Sequence, residues 1–189
     1  MDTVLPAFIA EFRRYRALAE NAAGQCSWEQ LRTALDPETN SVAVVMKHIA
    51  GNLRSRWTEP FTTDGEKTHG PHTRDRDAEF IDDFGAGPEG RAALERWWGE
   101  GWGTLEAALA SCSDADLART LLIRAEPHTL ALALSRSLAH TAYHTGQIVQ
   151  TCRTLASRAG AEWRTLTVPR GGSAEHNRRM MGEGRSGTA

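Results

Sequence analysis

The chain has 189 residues, 40% hydrophobic and 24% charged, which fits one globular domain with a real core and excludes a disordered or fibrous chain. A formal net charge of -2 gives no reason to expect nucleic acid or an acidic membrane surface as partner. Three scattered cysteines, Cys26, Cys112 and Cys152, form neither a disulfide framework nor a zinc knuckle.

The opening "MDTVLPAFIAEF" lacks a basic region ahead of an apolar run, and no stretch reaches the roughly 18 apolar residues of a spanning helix. The expected location is therefore the reducing cytoplasm. A first helix is predicted over residues 2–23, with Val4, Leu5, Phe8, Ile9, Phe12, Tyr15 and Leu18 at spacings of three and four. Gly24 breaks it, and Ser27 with Gln30 has the form of a capping box for a short turn. A second helix follows "DPETNS" at about 41–57, striped by Val42, Val45, Met46, Ile49 and Leu53.

Residues 58–88 are polar and carry Gly65, Gly70, Pro71, Gly85, Gly87 and Pro88. A segment of that length without periodicity is unusual inside a compact domain and often functional. The third helix is expected at about 89–111, on Leu94, Trp98, Trp102, Leu105 and Leu109. The spacing of Trp97, Trp98 and Trp102 fits burial better than ligand stacking. "SDAD" (113–116) reads as a fresh cap and 117–127 as an irregular or briefly extended connector, with no convincing alternating strand. Pro127 suits the first turn of a fourth helix at about 127–158. The domain is taken as 1–177 and the polar, glycine-rich end, 178–189, as a flexible tail. Four amphipathic helices with no sheet partner make an all-α four-helix bundle the economical architecture.

The fourth helix carries "SLAHTAYHTGQIVQ" (137–150). His140 and His144, four apart, stand about 40° from each other around the axis, on one flank of the stripe Leu134, Leu138, Thr141, Thr145, Ile148, Cys152 and Leu155. On the second helix His48 and Asn52 occupy a similar flank. If the two helices are neighbours, both flanks face one cleft, and three imidazoles with an open fourth position describe a catalytic metal site. From spacing alone, hydrogen-bonded surface histidines account equally for His140 and His144. His69, His72, His128 and His176 read as ordinary surface residues, and Cys152 as core.

"HIAGNLRSRW", "FTTDGEK", "RDRDAEF" and "SLAHTAYHTGQIVQ" together resemble the DinB/YfiT-like superfamily of metal-binding four-helix bundles, in particular a branch of small bacterial proteins of unassigned activity. The resemblance runs from residue 1 to "WRTLTVPRGGSAEHN" (163–177). It implies an up-down-down-up bundle with a long loop between helices 2 and 3, often dimeric, holding zinc or nickel on His48, His140 and His144. It also implies chemistry on a small molecule, in several members with a low-molecular-weight thiol. The first expectation for function is thus thiol-dependent S-transfer to a small electrophile; the alternatives are metal-assisted hydrolysis and a non-catalytic, metal-stabilised binding module. Within the long loop, Arg56 is expected to steady an anionic substrate and Asp64 to orient a ligand histidine or water, with surface pairing and capping as the competing account. Asn52 and then Gln147 are the expected supports of the histidines.

Overall fold

The computed structural model describes residues 4–67 and 73–183. The chain is mostly helical: α1 (Val4–Ala23), α2 (Trp28–Leu31), α3 (Val42–Trp57), α4 (Pro88–Ala110), α5 (Leu130–Arg158) and α6 (Ser173–Arg178). A single two-stranded antiparallel sheet, β1 (Thr120–Ile123) with β2 (Glu126–Thr129), is found among the described residues. None of the described helices is long and apolar enough to cross a membrane. His69 and His72 lie outside the described residues, as does the end of the tail from residue 184.

The helix starts follow local chemistry. Ser27 and Gln30 form the reciprocal capping box of α2. Ser41 Oγ accepts from Val44 N to open α3, and Thr129 Oγ1 accepts from Leu132 N to open α5. Each satisfies an N–H that has no partner within the helix. Pro88 occupies the first turn of α4, where a missing N–H costs nothing. Ser113 and Asp116 cap a 3-10 turn at Asp114–Ala118.

Two expectations are corrected here. The connector read as irregular or briefly extended over 117–127 carries the two paired strands of a hairpin over 120–129, with Leu121 opposite His128 and Leu122 opposite Pro127. Pro127 is therefore a strand residue, and the last helix begins at Leu130, not 127. The turn needs Arg124 and Ala125 at φ 57° and 61°, a left-handed conformation no glycine supplies. Asp64 holds it from outside: its carboxylate accepts from Arg124 N at 2.9 Å and Ala125 N at 2.6 Å.

α3 is the central element, packed against both α4 and α5 and against a 3-10 turn at Ala78–Phe80. Its predicted stripe is buried, but so are Lys47, His48, Asn52 and Ser55, so every residue from Val42 to Leu53 is inside. Such all-round burial hides a helical stripe. Against α4 the approach is close: a Cβ added at Gly101 would come 2.6 Å from Ala50 Cα. Trp98 and Trp102 of α4 are buried, with Trp102 edge-on to Phe12 of α1 at 6.4 Å. Both serve packing, as their spacing suggested. Cys152 is fully buried in the core. Val4, expected in the first stripe, is instead 52% exposed, its N–H donated to the carboxylate of Asp114.

A candidate metal centre

α3 and α5 pass each other in opposite directions. His48 meets His140, while nine residues further along α3 the Trp57 Nε1–H donates to Ser137 Oγ, earlier on α5. This crossing joins the two histidine-bearing flanks. His48, His140 and His144 each bring a ring nitrogen to within 4.8 Å of the others. The His48 Nε2 and His140 Nε2 atoms are 3.1 Å apart, and the His140 and His144 rings are edge-on at 4.5 Å.

The support for His48 comes from "RDRDAEF", whose last residues form the 3-10 turn under α3. Glu79 Oε2 accepts from His48 Nδ1 at 2.9 Å, and the Phe80 ring stacks on the imidazole at 4.7 Å. Glu79 is itself buried and gripped by Arg74, whose Nε and Nη2 each donate at 2.7 Å. Burial alone would raise the Glu79 pKa, but the bonds from Arg74 and His48 outweigh it and hold it below the usual carboxylate value. Asp75 caps the turn through Ala78 N. Lys47 Nζ ties the following chain to α3 through Ala78 O, Ile81 O and Asp83.

With its proton fixed on Nδ1 by Glu79, His48 presents the Nε2 lone pair toward His140 Nε2, and a proton or a cation must lie between two nitrogens 3.1 Å apart. That proton can be the Nε2–H of a neutral His140 ring, and a second proton on the ring is disfavoured. Burial first, then the neighbouring His144 and His48, push the His140 pKa down to about 3. His144 is also lowered, chiefly by burial, although its Nδ1 bond to Gln147 Oε1 at 2.7 Å works the other way. Three converging imidazoles, two of them (His140 and His144) with lowered pKa values and two (His48 and His144) with the distal nitrogen held by a side-chain oxygen, fit the donor set of a divalent cation.

The expected supports fall in different places. Gln147 does hold a ligand histidine, His144. Asn52 is buried beside the site and its amide has no hydrogen-bond partner among the described residues. Arg56 is turned to the loop, donating to Gly65 O at 2.6 Å and pairing with Glu66 at 2.8 Å. Asp64 holds no histidine; it accepts from Glu66, Arg124 and Ala125 N–H groups and shapes the loop and hairpin. The residue that orients His48 is Glu79, within "RDRDAEF". A signal for it existed in Gly51, three residues after His48, because a Cβ there would run into the Glu79 carboxylate. His128, expected at the surface, is buried at 3% exposure, with Nδ1 donating to Glu126 O and Nε2 accepting from Arg136.

The fold and site together define a mostly helical protein in which three histidines from two crossing helices can hold a metal ion. The chain belongs to the family described as "Protein of unknown function (DUF1572)", whose model matches residues 2–172. No curated protein and no solved structure matches it.

Proposed function

We propose that this chain is a metal-dependent enzyme of the DinB/YfiT-like kind, using zinc or nickel on His48, His140 and His144 for thiol-dependent transfer to a small electrophile. The observation that carries the reading is His48, aimed by buried Glu79 at two neutral histidines on the edge of a cavity that His140 lines. An up-down-down-up bundle is supported by the side-chain contacts. α3 opposes α5 through His48–His140 and Trp57–Ser137, α4 opposes α1 through Trp98–Glu20 and Trp102–Phe12, and α3 runs with α4 through Lys47–Trp97 and Arg54–Glu100.

His48, His140 and His144 would hold the divalent cation, which when bound would lower the pKa of a thiol and make it nucleophilic near neutral pH. Glu79 keeps the His48 ring in one tautomer, and Gln147 does the same for His144. Trp57, Leu121 and Ile123 give the cavity an apolar wall. Neighbouring carboxylates are committed: Glu79 to Arg74 and His48, Glu66 to Arg56, Arg74 and Arg124, Asp64 to the hairpin. With no free carboxylate beside the imidazoles among the described residues, a thiol is a better nucleophile than water, since it needs less help in losing its proton.

The test is metal analysis of protein purified without a histidine tag, followed by a panel of thiols and electrophiles. One zinc or nickel per chain is expected, with turnover that His48→Ala abolishes while the far-ultraviolet circular dichroism is retained. Protein that takes up no stoichiometric metal would remove the reading. A His48→Ala chain that melts tens of degrees lower would make the metal structural.

A further inference from the structure

Beside the three histidines, a cavity of about 380 Å³ opens between α3, α5 and the hairpin, with His140 in its wall. The residues at this cavity fall into two groups. Trp57, Leu121 and Ile123 are apolar; Arg56, Arg124 and Arg136 are cationic. The three guanidiniums do not stand alike. Arg56 and Arg124 share the carboxylate of Glu66, at 2.8 and 3.2 Å. Among the described residues no carboxylate comes within ion-pair distance of Arg136. Its one hydrogen bond goes from Nη1 to His128 Nε2, and that ring, with its proton on Nδ1 toward Glu126 O, acts as a neutral acceptor. Arg136 is thus aimed by a buried imidazole without being neutralised by it. Glu126, the carboxylate of the lining, has a side chain 71% exposed.

Arg136 is the one guanidinium at this cavity without a carboxylate partner among the described residues. Asn52 adds a second, independent signal. It is nine-tenths buried, it lines the same cavity, and its amide, unpartnered among the described residues, is free to bond a molecule held there. Both groups sit one turn from a histidine, Asn52 after His48 on α3 and Arg136 before His140 on α5, a rise of about 6 Å along each helix. A molecule held by these two groups therefore has its far end at the imidazoles.

We propose that this cavity receives a small substrate bearing a single carboxylate, which Arg136 grips and Asn52 hydrogen-bonds, so that its other end meets His48, His140 and His144. The proposal deepens the metal-enzyme reading and rests on it only for what happens at that other end. One unmatched charge and a planar guanidinium suit a carboxylate better than a phosphate dianion. The apolar wall favours a hydrocarbon spacer between the two ends.

The probes are 3-mercaptopropionate and its uncharged amide, 3-mercaptopropionamide, titrated calorimetrically into full-length protein, both zinc-loaded and chelator-stripped. The acid is expected to bind wild type about 10- to 100-fold more tightly than the amide, the range for a charge-assisted bond. Arg136→Gln should erase that preference while leaving the amide unchanged, and Arg136→Lys should keep part of it. Retention of the melting temperature in Arg136→Lys separates lost binding from lost folding. Equal binding of acid and amide by wild type, binding of neither, or an intact preference in Arg136→Gln would overturn the proposal. Displacement of the acid by equimolar inorganic phosphate would overturn the choice of carboxylate. A preference for the acid that persists in a chain unable to take up zinc would instead uphold this site and remove the metal reading.

Discussion

Glu79 connects the loop to the metal centre. Its carboxylate fixes the His48 tautomer and is itself fixed by Arg74 on the far side. Glu79→Gln keeps an oxygen for His48 Nδ1–H but removes the charge, leaving the almost wholly buried Arg74 only the longer, shared pairing with Glu66 at 3.5 Å. Zinc affinity, measured by competition with a chromophoric chelator, should fall about 10- to 100-fold, the usual effect of losing such a supporting acceptor. Gly51→Ala makes a sharper case. In a helix interior alanine is favoured over glycine by about 1 kcal/mol, so propensity alone predicts a more stable protein. Here the added methyl meets Glu79, and the expected result is weaker zinc binding and a lower melting temperature. A Gly51→Ala protein that binds zinc normally and melts higher would show that Glu79 does not set the geometry of the site.

At the scale of elements, the sequence declared what its own neighbours determine. The boundaries of α3 and α4 are set by Ser41 and Pro88, residues adjacent in sequence to the helices they start, and both were legible. The two flanks bearing His48 and His140/His144 followed from helical spacing, and their convergence was legible only as a condition on which helices touch. The hairpin was not legible, because its turn is stabilised from sixty residues away. Asp64 takes the N–H groups of Arg124 and Ala125, and burial, which would raise its pKa, is outweighed by the bonds from Ala125, Glu66 and Arg124, leaving it lowered. Glu79 was missed for the same reason, its partner His48 lying 31 residues away; His128 was missed because it is buried within the hairpin itself. Asp64→Ala should therefore cost about 1 to 3 kcal/mol, read as denaturation midpoint, by leaving two turn N–H groups unbonded. Ala125→Gly in that background should recover part of the loss, since glycine adopts the left-handed turn conformation without strain. Unchanged stability in Asp64→Ala would mean the hairpin closes on its own.

The whole molecule keeps imidazoles neutral in a partly buried cluster, and this gives its stability a pH dependence with a definite sign. The His140 pKa is about 3 in the folded chain against an ordinary value of 6.5, owing first to burial and then to His144 and His48. Above pH 6.5 neither the folded nor the unfolded chain carries the proton, and the full stability is present. As pH falls from 6.5 toward 3, the unfolded chain accepts a proton that the folded chain refuses, so stability is lost across that window. His144, lowered in the same direction, adds to the loss. Discounted for the partial exposure of the ring, the His140 contribution is on the order of 2 kcal/mol at pH 4, or roughly 4 to 8 °C in melting temperature for a domain of this size. The measurement is thermal unfolding of chelator-treated protein from pH 7 to 4. His140→Asn removes the titrating ring and should flatten the part between pH 6.5 and 5, above the range where carboxylates such as Glu79 titrate. Saturating zinc should raise the melting temperature at pH 7 and lose that effect steeply on acidification, because cation and protons compete for the same nitrogens. A metal-free protein equally stable at pH 7 and pH 5 would mean that His140 and His144 take up protons freely, and the cluster would then lack the neutral donors a cation needs.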